Sequence, residues 1–292
     1  MSISLSIVIP TKNRPSDLLI ALSSIIPQMD STDALIIIDQ SDKPFSNPII
    51  GSRTNIYYYY CPFINGLVHA KNHALSFTKG NVFVFLEDDI ELSSNYLSSV
   101  RNAFQDQSLI AGCGTEIKSS SSFLYRLMFN ISHLGTFYDP RVNCFCSSDT
   151  SDYFISSRYL SGGISFFRKE VFDRVEFDLS NNFFALEDID FSTRVYAAFP
   201  DRKMGIFKHI CLHHHRSPVN RANAFLIWSR KIREYIVFYK KQQFSLVTLL
   251  SFTWLLLCLF THSFFASLVH FQFDPFRGFL DGFYKGLAHS IR

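Results

Sequence analysis

The sequence lacks several patterns that identify common classes of protein. Its six cysteines are spread over 292 residues without a Cys-x-x-Cys pair, and so few cysteines in a chain of this length do not make a disulfide scaffold. Cys144 and Cys146 form only a Cys-x-Cys pair, and we expect ordinary small side chains and a reducing compartment. The formal net charge of +3 is too small to indicate nucleic acid as a partner.

The first loop contains no glycine. Residues 10–17 read PTKNRPSD, so the glycine-rich phosphate loop of sugar nucleotidyltransferases and the GxGxxG turn of Rossmann dehydrogenases are both missing, which disfavours these two enzyme classes. The N-terminus also lacks the basic segment and long apolar run of a signal peptide, because Pro10 interrupts its short apolar stretch. We therefore expect the N-terminal part of the chain to stay in the cytoplasm.

Short apolar runs alternate with helical patterns in the first half of the chain. The runs at residues 5–9, 34–38, 55–60 and 82–86 predict strands, and the apolar spacing over 18–26 and 67–77 predicts helices, the first with Ser16 as its N-cap. This alternation predicts an α/β domain with a mostly parallel, Rossmann-like sheet flanked by helices. A strand at 161–167 and helices at 189–198 and 221–243 follow, and residues 114–159 are interpreted as an irregular insert over the site.

Acidic residues follow two of the predicted strands. Asp39 ends the second strand, and Glu87, Asp88 and Asp89 follow the fourth, at the edge of a parallel sheet where ligands bind. Clustered carboxylates repel each other unless a cation lies among them, and hard divalent cations prefer carboxylate and phosphate oxygens. The triplet therefore favours a Mn²⁺ or Mg²⁺ site over the alternative, a solvated acidic turn that caps the next helix.

A second acidic cluster, Glu187-Asp188-x-Asp190, precedes the helix predicted at 189–198. One of its carboxylates has the chemistry of a general base that takes a proton from an acceptor hydroxyl. Acids are also common as N-terminal caps of helices, and taken alone the cluster would be interpreted in that way.

Four histidines lie close together further along the chain. They suggest metal ligands, yet adjacent side chains on a strand point to opposite faces, so consecutive histidines cannot all face one ion. His215, which precedes the basic Arg216, is the preferred candidate for a functional role; the others are His209, His213 and His214.

The C-terminal part has the composition of a membrane-associated segment. Residues 246–269 contain no Asp, Glu, Lys or Arg and are numerous enough to cross a bilayer. The scattered Ser and Thr leave a re-entrant or interfacial hairpin as an alternative, and a buried core helix is a third one that the basic flank disfavours. The preceding residues are basic, with Glu234 as the single acid, and the positive-inside rule puts them on the cytoplasmic side of an inner or plasma membrane. We expect domains at 1–217 (catalytic), 218–243 (a basic juxtamembrane helix) and 244–292 (membrane-associated, with one or more hydrophobic helices).

Taken together and in order, six segments resemble family 2 glycosyltransferases, which have the GT-A fold. The resemblance covers residues 5–215, and its segments read SIVIPTKNRPSDLLIALSSI, IIIDQSD, NGLVHAKNHAL, FLEDDIEL, SGGISFFRKEVFDRVEFD and LEDIDFSTR. Within NGLVHAKNHAL, Lys71 stands where the family usually has arginine, which keeps the charge but loses the bidentate fork. In FLEDDIEL, Glu87 replaces the first aspartate of the family's Asp-x-Asp motif.

The resemblance implies roles for individual residues. Asp39 would contact the base of the donor nucleotide, and Asp88 would contact its ribose. The full set of residues that would contact the nucleotide is Thr11, Arg14, Asp39, Lys71, Asn72 and Asp88. Asp89 and Glu87 would hold the divalent cation. In the Glu-Asp motif, Asp188 would be the catalytic base, with Glu187 beside it.

The implied function is inverting transfer of a sugar from a nucleotide-diphosphate sugar to a glycan or lipid-linked saccharide, in cell-surface polysaccharide biosynthesis. A single C-terminal span predicts one addition per encounter, because a processive synthase needs more helices for a channel. The rival outside the enzymes is a non-catalytic nucleotide- or sugar-binding membrane protein of the same fold, which would be expected to have lost one acidic cluster. The sugar, the base, the acceptor and the oligomeric state do not follow from the sequence.

Overall fold

The computed structural model describes residues 2–117, 122–147, 153–181, 183–219 and 222–291. The chain forms two compact units. Unit 1 comprises Met1–Ser119, Cys144–Phe177 and Phe191–Val219, and unit 2 comprises Ser120–Asn143, Asp178–Asp190 and Asn220–Arg292. Unit 1 therefore contains most of the segments that carry the family resemblance.

A twisted sheet forms the centre of unit 1. Its described strands are β1 (Leu5–Thr11), β2 (Ala34–Asp39), β3 (Ile56–Tyr60), β4 (Val82–Leu86), β5 (Ile90–Leu92), β6 (Leu109–Glu116), β7 (Phe154–Ser156), β8 (Ile164–Arg168) and β9 (Lys203–His214). They are ordered β3-β2-β1-β4-β8-β6-β9-β5, and β7 also pairs with β9. The first four strands in this order are parallel, as predicted, whereas β8 runs antiparallel to both of its neighbours.

The strand β1 continues through Pro10, which the sequence analysis placed at its end. Its pairing with β4 stops at Val8, opposite Phe85, while its pairing with β2 continues to Thr11, opposite Asp39. Pro10 therefore lies where β1 has one neighbour only, and its missing N–H leaves no gap in the ladder.

Within the described ranges, four α-helices flank or follow these strands. They are α1 (Pro15–Ile25), α2 (Leu67–Leu75), α3 (Tyr96–Ala103) and α5 (Glu187–Ala198), of which α5 contributes its first residues to unit 2. Ser16 is not the N-cap of α1, because the helix already begins at Pro15, with Arg14 at the cap position. The fixed φ of Pro15 suits the first helical position, which explains this start.

Unit 2 consists mainly of helices. They are α4 (Phe123–Ser132), α6 (Ala224–Lys241), α7 (Leu246–His270) and α8 (Asp274–Ala288). Because α4 lies in the segment interpreted as irregular, that prediction is wrong for its residues. Glycines allow α8 to approach α6 closely: a Cβ at Gly282 would lie 2.3 Å from the Ser229 carbonyl oxygen. Among the described helices, α7 alone is long and apolar enough to cross a membrane.

One disulfide corrects the expectation about the cysteines. Cys146 is bonded to Cys211 on β9, with 5.8 Å between their Cα atoms. The two residues are 65 positions apart in sequence, so local spacing could not reveal the pair. Ser147 donates its N–H to the Lys208 carbonyl oxygen and brings this segment to β9. The cysteine pattern therefore no longer supports a reducing compartment.

Candidate functional site

Two carboxylates and one imidazole converge in unit 1 beyond the end of β4. Glu87, Asp89 and His214 each offer one ligand atom, and these atoms all lie within 4.8 Å of one another. His214 Nε2 is 3.0 Å from Glu87 Oε2 and 3.2 Å from Asp89 Oδ1. Asp89 is buried, and its Oδ1 has no hydrogen bond of good geometry within the described residues. A buried carboxylate oxygen in this position fits a ligand of a divalent cation.

Hydrogen bonds and charges around the cluster favour the ionised forms of Asp89 and His214. Burial alone would raise the pKa of Asp89, but the neighbouring His214, the Ser217 N–H and Arg14 lower it to about 2. Burial would also lower the pKa of His214, but Asp89, Glu116 and Glu87 raise it to about 11. The imidazolium thus takes the place that a cation would have among these carboxylates.

The structure places His214 at the cluster, and not His215, the candidate that the sequence favours among the histidines. His215 lies 3.3 Å from Glu91, on a more exposed part of the surface. The strand pairing explains the difference. His214 is opposite Ile90 in the β5–β9 ladder, directly after the acidic triplet, and its neighbours on the strand point the other way.

The predicted nucleotide residues Thr11, Arg14 and Asp88 lie in one hydrogen-bonded group next to the cluster. Thr11 Oγ1 donates to Asp88 Oδ2 at 2.7 Å, and Arg14 donates to Asp88 Oδ1 at 2.9 Å. Arg14 also lies 3.6 Å from Asp89 Oδ2 and donates to the Val219 carbonyl oxygen. Burial raises the pKa of Asp88 in spite of Thr11 and Arg14. Arg14 thus contacts both aspartates and offsets part of their negative charge.

A cleft of about 580 Å³ opens beside this group, between the loop after β1 and the loop after β2. Asp39 lines it, but its carboxylate is buried and accepts hydrogen bonds from the N–H groups of Ser41 and Phe45 and from the Tyr58 hydroxyl, at 2.6 to 3.0 Å. The Asp39 carboxylate thus fixes the backbone of the loop after β2, which forms one wall of the cleft. The cleft has the size of a small-molecule site.

The other two predicted nucleotide residues lie on α2. Lys71 is buried and donates to the Gly162 carbonyl oxygen at 3.1 Å, and its ammonium group lies 5.6 to 5.7 Å from the ring centroids of Phe85 and Phe177. Asn72 donates to the Phe177 carbonyl oxygen at 3.4 Å. These contacts connect α2 with the Gly162–Gly163 turn, whose Gly163 carbonyl accepts the N–H of Glu87.

The predicted catalytic base belongs to unit 2, where a half-buried arginine holds it. Asp188 Oδ2 accepts a hydrogen bond of 2.7 Å from Arg141, and Asp188 Oδ1 accepts the Ile189 N–H. Arg141 also binds Asp139 with both its Nε and its terminal nitrogen, at 2.8 to 3.0 Å. Burial alone would lower the pKa of Arg141, but the two aspartates raise it. One arginine therefore fixes the rotamer of Asp188.

A second buried group fixes the segment before Asp188. The carboxylate of Glu234 on α6 accepts the N–H groups of Phe184, Ala185 and Leu186 at 2.7 to 2.9 Å, directly before α5 begins. Burial raises the pKa of Glu234, although these N–H groups and Arg233 oppose the change. Glu187, predicted beside the base, is also buried.

Sequence reasoning missed Arg141, Asp139 and Glu234. Arg141 is 47 residues from Asp188 and lies in the segment interpreted as irregular, so no spacing links the pair. Glu234 did carry a signal, as a lone acid among basic residues that precede an apolar segment. Such an isolated acid on a helix is a candidate cap for the backbone of another segment.

The sequence matches the family described as Glycosyl transferase family 2 over residues 6–176, more than half of the chain. The chain therefore belongs to glycosyl transferase family 2 and is a glycosyltransferase. No curated protein is significantly similar to it in sequence.

Solved structures of glycosyltransferases share its fold. The mannosyltransferase PcManGT from Pyrobaculum calidifontis, in complex with GDP-Man and Mn²⁺, has a TM-score of 0.61 and 12% identity, covering 97% of this chain and 87% of its own. TarS 1-349 from S. aureus in complex with UDP-GlcNAc has a TM-score of 0.59 and 12% identity, over 92% and 75%. GalNAc-T7 with UDP, GalNAc and Mn²⁺ has a TM-score of 0.53 and 15% identity, covering 73% of this chain and 44% of its own. The predicted GT-A fold is confirmed.

Proposed function

We propose that this glycosyltransferase uses a nucleotide-diphosphate sugar and a divalent cation, Mn²⁺ or Mg²⁺, and transfers the sugar with inversion to a hydroxyl group. The acceptor we propose is a glycan or lipid-linked saccharide of cell-surface polysaccharide biosynthesis. The observation that carries the proposal is the convergence of Glu87, Asp89 and His214 next to a cleft that Thr11 and Arg14 line. The solved structures of similar fold that are in complex with GDP-Man or UDP-GlcNAc support this class of donor.

Glu87, Asp89 and His214 would hold the cation once His214 has released its proton, since their two carboxylates and one imidazole suit Mn²⁺ and the buried Asp89 Oδ1 faces the imidazole. When bound, such a cation offsets the charge on the departing diphosphate. In the same site, Arg14 supplies a fixed positive charge close to both aspartates. The cleft bounded by the Asp39 loop would receive the nucleoside, which makes the Ser41–Phe45 backbone part of base recognition.

Asp188 is proposed as the base that receives the acceptor proton. As the acceptor oxygen forms its bond to the anomeric carbon, the bond from that carbon to the diphosphate oxygen breaks, and the hydroxyl proton passes to a carboxylate oxygen of Asp188. Arg141 and Asp139 hold this carboxylate in one orientation. An oriented base lowers the entropy cost of reaching the reactive geometry.

Residues 1–217 are proposed as the catalytic domain, 218–243 as a basic juxtamembrane helix and 244–292 as a membrane-associated segment. The apolar helix α7 supports membrane association, and its basic flank supports a cytoplasmic catalytic domain at an inner or plasma membrane. The helical unit 2 includes Asp188 in its Asp178–Asp190 segment, so the proposed base and the proposed membrane segment share one unit.

The proposal is tested by calorimetric binding of UDP, GDP, CDP and dTDP to the detergent-purified full chain, with and without Mn²⁺. We expect one diphosphate to bind with Mn²⁺ and to lose this binding in Asp89→Ala and in His214→Ala. The matched control is His213→Ala, which removes the adjacent histidine from outside the cluster. Folded protein that binds no diphosphate would contradict the proposal and favour the non-catalytic membrane protein of the same fold.

A further inference from the structure

We propose that α4 and the exposed face of α7 form one lipid-docking surface, which lies in the plane of an anionic phospholipid bilayer. The proposal rests on the membrane association that is part of the proposed function. It deepens that function by adding a segment far from the C-terminus and by fixing how the protein meets the lipid.

The first observation is that α4 presents its apolar side outward. Five apolar residues with spacing i, i+1, i+4, i+5 and i+8 share one side of this helix and are 42% to 72% exposed: Phe123, Leu124, Leu127, Met128 and Ile131. The opposite side turns toward the rest of unit 2 and carries Phe129 and, just past the helix, His133, which stack on each other. None of the residues of α4 is buried. A surface helix in water normally shows the reverse arrangement.

The second observation is a continuous apolar stripe along α7. Exposed apolar residues recur at helical spacing over its length: Val247, Leu250, Trp254, Leu257, Phe264 and Leu268. The buried side of the helix carries small polar residues, among them Thr248, Ser251, Ser263 and Ser267. The apolar face of α7 is thus turned outward as well, and it lacks Asp, Glu, Lys and Arg.

Direct contacts join the two helices into one surface. The Trp254 indole on α7 donates to the carbonyl oxygen of Ile131 on α4 at 2.7 Å. Just after α4, Thr136 and Thr248 share a hydrogen bond of 3.1 Å, and a Cβ at Gly135 would lie 2.2 Å from Ser251 Oγ. The outward faces are therefore neighbours, with an indole between them, a side chain that is common at the membrane interface.

Burial lowers the pKa of His133 and of His262, and Lys231, a cation without an acidic partner among the described residues, lies close enough to lower the pKa of both further. Lys231 on α6 is half-buried, its ammonium group is 5.7 Å from the Trp228 ring, and no described residue forms an ion pair or hydrogen bond with it. Trp228 in turn meets His262 of α7 edge to face. Burial lowers the pKa of Lys231. An ammonium group in such a place gains from an anion, and a phospholipid headgroup supplies one beside an apolar surface.

The packing of α8 favours an in-plane helix over a spanning one. Phe260 and Phe264, in the middle of α7, contact Phe276 of α8. The exposed Asp274 and Arg277 flank Phe276 on α8. A bilayer around the middle of α7 would therefore also surround charged side chains, which are costly in hydrocarbon. A bilayer that meets only the exposed stripe leaves them in water.

The test is flotation of the purified full chain with vesicles of phosphatidylcholine mixed with phosphatidylglycerol, after removal of detergent. We expect Leu124→Glu combined with Met128→Glu to lower the partition coefficient about tenfold or more, because both side chains would leave the apolar phase. The control is Ile20→Glu on α1, an apolar residue 43% exposed, as Ile131 is, and it should float like the wild type. Undiminished flotation of the α4 variant would overturn the proposal.

The role of Lys231 in binding anionic lipid is tested separately. Lys231→Gln should remove the preference for vesicles that contain phosphatidylglycerol over vesicles of phosphatidylcholine alone; a preserved preference would contradict the role of this lysine. Nucleoside diphosphate binding, measured for each variant, is an independent check that unit 1 is folded. A variant that still binds nucleotide but no longer floats supports the surface, and flotation remains readable if no nucleotide binds.

The orientation of α7 is tested without any change in α4. The chain has two tryptophans, so Trp228→Phe leaves Trp254 as the single fluorophore. Trp254 lies eight residues into α7, about 12 Å along the helix axis. In-plane binding predicts quenching by lipids brominated near the headgroups. Stronger quenching by bromines close to the bilayer centre would show a spanning helix and overturn the proposal.

Discussion

Replacing Gly163 by alanine tests whether the position of Glu87 matters for the cation. A Cβ at Gly163 would lie 2.1 Å from Glu87 Oε1 and 2.4 Å from its Cδ and Cγ, whereas ordinary van der Waals contact begins at 3.4 Å. The Glu87 carboxylate must therefore move by about 1.3 Å, far beyond the tolerance of about 0.2 Å for a metal–ligand distance. Because Glu87 is a flexible, partly exposed side chain, it can move without unfolding unit 1.

We expect Gly163→Ala to weaken Mn²⁺ binding about 10- to 100-fold, roughly 1.4 to 2.8 kcal/mol, which is the usual range for a disturbed ligand environment. The assay is calorimetric titration of Mn²⁺ in the presence of the bound nucleoside diphosphate, with thermal unfolding measured in parallel. Gly51→Ala is the matched control, because a Cβ there meets nothing within 4 Å. Unchanged Mn²⁺ affinity in Gly163→Ala would refute the assignment of Glu87 as a ligand.

Three further predictions concern unit 2. Asp188→Asn keeps the contact with Arg141 but removes the proposed base, so transfer should fall roughly 100- to 10,000-fold while donor binding stays intact; equal loss of both would contradict the assignment. Glu234→Ala leaves the three N–H groups before α5 without their acceptor and should lower the free energy of unfolding by about 3 to 5 kcal/mol; in urea unfolding, Glu170→Ala, at an exposed carboxylate, should have little effect. Burial lowers the pKa of His133 to about 4, below its ordinary 6.5, so protonation destabilises the folded state as the pH falls from about 6.5 to 4, by about 3 kcal/mol; His133→Gln should remove this part of the pH dependence, and an unchanged slope would show that other groups cause it.

The sheet and the acidic cluster could be predicted because their signals are local. The runs that form β1, β2 and β4 are short, apolar and bounded by breakers, and all their residues are buried. Strand ends in a parallel sheet share one edge, so the positions of Asp39 and of the Glu87–Asp89 triplet followed from the strand assignments alone. The order of the motifs then supplied the family.

The remaining features depend on pairs that are distant in sequence. The choice of His214 over His215 required the register between β5 and β9, which no local pattern encodes. The link from Arg141 to Asp188 and the Cys146–Cys211 bond join segments that only the folded chain brings together. Helix α4 follows four consecutive serines at residues 119–122, a composition typical of a loop. Its apolar face is turned outward, and this gives the same periodicity as a face turned inward.

The most direct test of the central claim is the release of nucleoside diphosphate from a panel of UDP- and GDP-sugars by the full chain, with added membrane lipids as the acceptor source. We expect release from one donor that requires Mn²⁺ or Mg²⁺ and is lost in Asp89→Ala but kept in Gly51→Ala. Release that is equal in Asp89→Ala and wild type, or that is insensitive to chelation of the cation, would contradict it.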